Sequence, residues 1–288
     1  MAPGIQSSSA RALEARRVNR AQSIAWRVRA DYLQRERLDE LRALLQSALD
    51  RGYRPMTLSA FAARVASPPL RADHPILLLR HDVDTDVPRA RRMWDLEQRL
   101  GVVGSWFFRR RTWEVDFMQE LSAAGCEVGY HYEELATVAK ERGAASAAQA
   151  RALLGVARAR LRTTLSELRA SSGLALDVLA AHGDFANRAL GVSNVELLAD
   201  PGFRAQIGVR LEAYDIEPQL SARSSDGVPP TGWWPEDPSE AIARGERAVG
   251  VLLHPRSWGG APAANAHADL VRLREGCAYR LRRALPKA

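Results

Sequence analysis

Lysine is almost missing from this sequence: Lys140 and Lys287 are the two it has in 288 residues, so arginine carries nearly all of the basic charge. Cysteine is as scarce, with Cys126 and Cys277 alone. Two thiols so far apart offer neither a metal-ligand spacing nor a disulfide framework, and two buried free thiols are expected. No run reaches the roughly 18 to 20 apolar residues that a bilayer-spanning helix needs. Glycines do not gather into a phosphate loop, because Gly101 to Gly104 has the wrong spacing for a dinucleotide fingerprint. No internal repeat is visible. Residues 1–10 are short of the apolar core of a secretory signal, which predicts a cytoplasmic protein.

What is present is ordinary for a globular chain. The hydrophobic share is 46%, enough for a real core in one large domain or one domain with an appendage. A net charge of +7 would suit nucleic acid or an anionic substrate. The arginines, however, are spread among alanine and glutamate in helical stretches. That pattern predicts solvated helix faces and no nucleic-acid partner.

Periodicity divides the chain. Residues 1–10 are expected to be disordered. Residues 10–52 carry leucines at three- and four-residue steps and predict a helix stopped near Gly52. A short helix over 58–65 and a linker at Ser67-Pro68-Pro69 complete a helical extension, residues 11–69. It is expected to pack on the following domain or to mediate a homodimer. From residue 70 to 288 short apolar runs alternate with helical segments. Strands are expected at 76–79, 102–108, 126–130, 176–181, 205–209 and 248–253. Helices are expected at 88–100, 114–124, 145–170, 239–244 and 264–285. This alternation predicts an α/β fold with a parallel sheet, and it allows either a barrel or an open doubly wound sheet.

Four of the six histidines sit just beyond an apolar run. The first run leads into Arg80-His81-Asp82-Val83-Asp84, the others into His131-Tyr132-Glu133-Glu134, His182-Gly183-Asp184 and His254-Pro255. In parallel α/β folds the C-terminal strand ends build the active site. Imidazole and carboxylate converging there make a ready site for a catalytic metal ion with an open position for water. Alternation along the strand predicts Asp82 and Asp84 on one face, with His81 and Val83 on the other. His74 and His267 are expected at the surface. Trp233-Trp234 would line a sugar-binding wall or cover the core edge, and Trp258 is a similar candidate.

The segments 78–84, 105–109 and 125–133, then His182-Gly183 and Leu252-Leu253-His254-Pro255 with Trp258, together resemble a divergent branch of the polysaccharide deacetylases, carbohydrate esterase family 4. The resemblance spans roughly residues 30–260. It implies a distorted (β/α) barrel with about seven parallel strands, a divalent metal, most often Zn²⁺, and hydrolysis of an N-acetyl group on a sugar. It implies Asp82 as general base, Asp84 and His131 as metal ligands and His254 as general acid. Where the family has a second motif histidine this chain has Leu135, so a third ligand must come from elsewhere. His182 is the first choice, with Glu133 and Glu134 as alternatives, and Glu133 is also a candidate to orient His131. Arg80 or Arg188 would stand in for an arginine of the family's third motif. Arg80, His81, Glu133, Asp184, Trp233, Trp234 and Trp258 are the candidate substrate-binding residues. The expected substrate is a small cytoplasmic saccharide, nucleotide- or lipid-linked, or an acylated metabolite. The rival reading is a catalytically inactive binding protein on the same fold.

Overall fold

A computed structural model describes residue 25 and residues 28–66, 74–228, 232–259 and 261–284. The stretch expected to be disordered, 1–10, and the Ser67-Pro68-Pro69 linker lie outside these residues.

The helix expected over 10–52 is not continuous where it is described. A single π-type turn, Arg29–Leu33, is followed by extended chain and then by α1, Leu38–Asp50. Leu41, Leu45 and Ala48 of α1 are fully buried, so this helix belongs to the core. After Gly52 comes a strand that the sequence pattern hides, β1, Arg54–Met56, and then α2, Leu58–Ala66. Strand β2, Ile76–Val83, is buried along its whole length and takes in the charged residues Arg80, His81 and Asp82. Asp86 caps α3, Val87–Arg99, by accepting from the Arg89 N–H. The chain continues through β3, Ser105–Phe108, and α4, Val115–Ala123, to β4, Glu127–Tyr132, and α5, Glu134–Glu141. The long helix expected over 145–170 is two helices, α6, Ala147–Ala152, and α7, Leu154–Ser172.

Strand β5, Val178–Ala181, leads into α8, Phe185–Leu190. The strand expected at 205–209 is not formed. Asp200 and Pro201 start a helix there, α9, Pro201–Gln206, and the strand β6 is displaced to Leu211–Glu212. A 3-10 helix, Ala213–Gln219, precedes β7, Ala222–Val228, and β8, Gly232–Trp234. These two strands also escape the apolar pattern, since β7 reads Arg-Ser-Ser-Asp through its middle. Helix α10, Pro238–Ala243, strand β9, Ala248–Leu253, and helix α11, Pro262–Ala284, close the described chain. Cys126 is buried as expected, but Cys277 on α11 is exposed.

The predicted α/β class with a parallel sheet is observed. The strand order is β6-β5-β4-β3-β2-β9-β7-β8, with β1 also on β2, and every pairing is parallel except β7 with β8. Among the described residues nine strands are formed, eight of them in parallel pairings, close to the seven or so expected. Among the described residues no ladder joins β6 to β8, so the sheet is not closed by hydrogen bonds. The 3-10 helix lies between β6 and β7 instead, with Ala213 and Ile216 in the same apolar cluster as the inner strand residues.

Two clusters show how alternation sorts the side chains. Leu77, Leu79, Val83, Trp106, Phe108, Leu179, Val249, Val251 and Leu253 pack outward against the helices. Ile76, Leu78, Phe107, Val178, Ala180 and Ala248 pack on the inner face with Leu58 and Phe61 of α2. The extension therefore contributes a strand and an inner plug, which is more than packing on the outside. Gly129 of β4 lies on that inner face. A Cβ there would fall 2.2 Å from the Val178 carbonyl oxygen and 2.6 Å from the Phe107 ring, so only glycine leaves room for that ring.

Candidate metal centre and active site

The same alternation carries polar groups to the C-terminal mouth of the sheet. On β2 the inner positions after Ile76 and Leu78 are Arg80, Asp82 and then Asp84. His131 follows Gly129 on β4, His182 follows Ala180 on β5, and His254 follows β9. Asp84, His131 and His182 each present one ligand atom, and the three atoms lie within 4.8 Å of one another. His131 Nε2 is 3.5 Å and His182 Nε2 3.4 Å from Asp84 Oδ1.

Hydrogen bonding favours these atoms as ligands. His131 Nδ1 lies 2.9 Å from the Ala180 carbonyl, which only accepts, so Nδ1 carries the proton and Nε2 presents its lone pair. His182 Nδ1 lies 3.1 Å from Glu133 Oε2, close enough for the carboxylate to attract the ring from behind, although the angle is not that of a hydrogen bond. Asp84 Oδ1 is buried without a hydrogen-bond partner, a costly state for a carboxylate oxygen unless a cation completes it. The donor set, one carboxylate and two imidazoles, fits a divalent ion such as Zn²⁺.

Glu133, His182 and Asp184 form a second group of the same kind. Its carboxylates are already engaged. Glu133 accepts from Arg109, and Asp184 accepts from Lys140 and from the Ala186 N–H as the cap of α8. The first group alone has a free buried oxygen, and it is the better candidate centre.

Electrostatics set the protonation states. Burial works against ionising Asp84, but the neighbouring His182, His131 and Arg109 hold its carboxyl well below the usual range. Burial also opposes ionisation of Asp82, and the Arg80 guanidinium overrides it, with His131 adding to the effect. Burial pushes His131 down to about 4, which keeps it neutral and available as a ligand.

Asp82 is clamped from below. Arg80 Nε and a terminal nitrogen each donate at 2.8 Å, one to each carboxylate oxygen, and the guanidinium sits over the Tyr214 ring. Across the cleft His254 Nδ1 donates to Asp226 Oδ1 at 2.6 Å. Asp226 Oδ2 accepts from the His254 N–H and from Trp258 Nε1, both at 2.8 Å. Burial disfavours the His254 imidazolium, yet the Asp226 carboxylate more than offsets this and holds the ring up at about 9. A cleft of about 580 Å³ is lined by Asp82, Asp84, His182, Asp226 and His254, and Asp184 is on its wall.

Several candidate substrate contacts lie elsewhere. His81 is on the outer face of β2, fully buried, stacked on Trp106 at 3.6 Å and bonded to Glu97 of α3. It cannot reach a substrate. Arg80 is buried beneath Asp82 and holds it. Trp258 is 2% exposed and supports Asp226, with Trp233 packed edge-on against it. Trp234 is exposed but borders a separate, mostly apolar cavity of about 360 Å³ between the 3-10 helix and β7. Leu135 is fully buried on α5, remote from any ligand role. Glu134 is buried against Tyr130 rather than turned to the centre. Arg188 donates to the Gly183 carbonyl. His74 and His267 are exposed, as expected.

Asp226 and Arg109 were not among the predicted site residues. Asp226 lies on the unrecognised strand β7. Its signal is an acidic residue two after Ser224 and just before Gly227, which no apolar run announces. Arg109 follows the apolar run Trp106-Phe107-Phe108, in the same position that delivers the histidines on other strands.

No family model and no curated protein matches the chain. Solved structures resemble it weakly. A CE4 family pseudoenzyme from Bacillus anthracis is 14% identical, with a TM-score of 0.38 over 70% of this chain and 63% of its own. A peptidoglycan deacetylase from Bacillus subtilis is 13% identical, with a TM-score of 0.35 over 73% of this chain and 94% of its own. The CE4 domain of a multidomain xylanase from the hindgut metagenome of Trinervitermes trinervoides is 13% identical, with a TM-score of 0.32 over 69% and 84%. The chain thus spans under two thirds of the first of these. Likeness at this level leaves the site to be judged on its own residues. Those residues define an α/β protein with a group able to hold a metal ion at the strand ends.

Proposed function

We propose that this protein is a metal-dependent hydrolase that removes an N-acyl group, acetyl above all, from an amino sugar or related small metabolite. The observation that carries this reading is the pairing of opposed groups in one cleft: an ionised carboxylate, Asp82, and a protonated imidazole, His254, with Asp84, His131 and His182 gathered alongside.

Asp84, His131 and His182 would hold the metal, with Zn²⁺ the natural choice for this donor set. When bound, the ion polarises the amide carbonyl and lowers the pKa of water. Asp82, oriented through both oxygens by Arg80, takes a proton from the attacking water. The water oxygen bonds to the carbonyl carbon, and the C–N bond then breaks. His254, protonated at neutral pH and oriented by Asp226, gives its proton to the departing amine. The products are a carboxylic acid and a free amine. Trp258 keeps Asp226 in place and helps exclude water from behind it.

Leu135, which favours an inactive binder, is offset by His182, a donor that reaches the same centre from another strand. The test combines elemental analysis of the purified protein with a screen of N-acetylated amino sugars for released acetate. One bound ion per chain and acetate release are expected. A protein that takes up no divalent ion, or that holds one and releases acetate from no amide, would return the assignment to a binding role.

A further inference from the structure

The ion pairs on the cleft wall do not run one to one. Asp82 is held by Arg80, and Asp226 by His254. Asp184 and Glu275 share Lys140, while Asp31 and Asp269 share Arg256. Asp84 faces the two ligand histidines. Every carboxylate of the wall has a basic side chain or an imidazole beside it, with Lys140 and Arg256 each serving two. Not every guanidinium has a carboxylate as close. Arg109 is paired with Glu133 and Arg256 with its two aspartates, but Arg111, Arg188 and Arg272 line the same cleft with no carboxylate within 4.0 Å among the described residues; Asp269 acts on Arg272, and Glu133, Asp84 and Glu275 on Arg111, from farther off.

Two of these three are fixed beside the centre. Arg111 Nε donates to the Asp84 carbonyl at 3.1 Å, and a terminal nitrogen of Arg188 donates to the Gly183 carbonyl at 3.0 Å. Asp84 is a candidate ligand, and Gly183 follows His182. Each bond uses one donor and leaves the rest of the guanidinium fork unused. All three side chains are solvent-accessible, as a ligand requires. The third, Arg272, projects from α11 on the same wall.

We propose that Arg111, Arg188 and Arg272 form an anion subsite that takes a phosphate or diphosphate group of the substrate. A single carboxylate would answer one of these charges, whereas a diphosphate answers two or three and matches the guanidinium fork with its oxygens. The substrate class is then a phosphorylated or nucleotide-linked N-acyl amino sugar. This identification of the substrate rests on the deacylase reading, but the subsite itself is tested without turnover.

The probe is pyrophosphate, titrated calorimetrically into the full-length protein before and after metal is removed by dialysis against a chelator. Binding is expected in both states, tighter than that of citrate and weakened by added salt. Arg188→Gln and Arg272→Gln should each weaken it by roughly tenfold. Arg188→Lys keeps the charge at an exposed position and should retain part of the affinity, which separates a lost ligand contact from a misfolded chain. Binding that disappears with the metal, that is unchanged in the Arg188→Gln/Arg272→Gln double variant, or that citrate equals would overturn the proposal. Absence of acetate release in the separate screen would count against the deacylase reading and leave this binding result standing.

Discussion

Asp82 and His254 are both ionised near neutral pH, and one neighbour contributes most to that state in each case. Asp82 is held down by Arg80, and His254 is held up at about 9 by Asp226. Asp82→Asn keeps the shape and removes the proposed base. It should lower kcat by roughly a hundredfold to ten-thousandfold while the metal content stays at the wild-type level. Steady-state kinetics beside elemental analysis reads both. Asp226→Asn leaves His254 in place without its counter-charge. The alkaline limb of the kcat/KM profile, expected near 9 in the wild type, should move toward the ordinary histidine value of 6.5. A limb that stays put would separate His254 from the proton donor. The same shift has a stability consequence. The folded-state pKa is above the unfolded one, so the His254–Asp226 pair contributes fully below about 6.5 and loses its contribution as pH rises through about 9.

At the scale of elements, inner-face packing is what sets the site residues at their heights. Gly129 stands one inner position below His131 on β4. Gly129→Ala would drive a Cβ into the Val178 carbonyl and the Phe107 ring, and overpacking of this kind costs about 1–3 kcal/mol. The unfolding midpoint in urea should fall accordingly, and metal affinity with it as His131 is displaced. Much of this layer was legible beforehand. The alternation that placed Asp82 and Asp84 on one face and His81 on the other is observed, because β2 is buried on both faces and every residue must choose a side. Strand β9 is found where the apolar run marks it. Strands β1 and β7 were hidden for a physical reason. β1 is three residues long, and β7 carries Arg223, Ser224, Ser225 and Asp226, whose backbone pairing is dictated by β9 and not by their own hydrophobicity. The site residue on β7, Asp226, was lost with its strand. Trp258 and His81 stand beside the motifs in sequence yet face away from the cleft, because sequence proximity to a motif says nothing about which side of a strand or turn a ring occupies.

For the whole molecule, residues 38–66 contribute to the core. β1 pairs with the first half of β2, and Leu58 and Phe61 close the inner cluster from below. A fragment comprising residues 70–288 should therefore fail to give the cooperative thermal transition of the full chain, as read by circular dichroism. Phe61→Ala in the full chain should cost about 3–5 kcal/mol by opening a cavity under the sheet. A fragment that melts as sharply as the parent would show that the segment is an appendage after all. No described helix is long and apolar enough to cross a membrane, consistent with the apolar runs being strands.

The sequence by itself determined the α/β class, the strands that end in histidine or aspartate, and the face on which each of those residues lies. These follow from local periodicity, because a two-residue repeat and a run of apolar side chains constrain the chain wherever it folds. Only the tertiary structure decided that His182 lies 3.4 Å from Asp84 while Glu134 turns away to Tyr130, that Asp226 backs His254, and that Arg111, Arg188 and Arg272 have no carboxylate within 4.0 Å among the described residues. Most of those are distances between residues remote in the chain, and they are fixed by the order in which the strands pair.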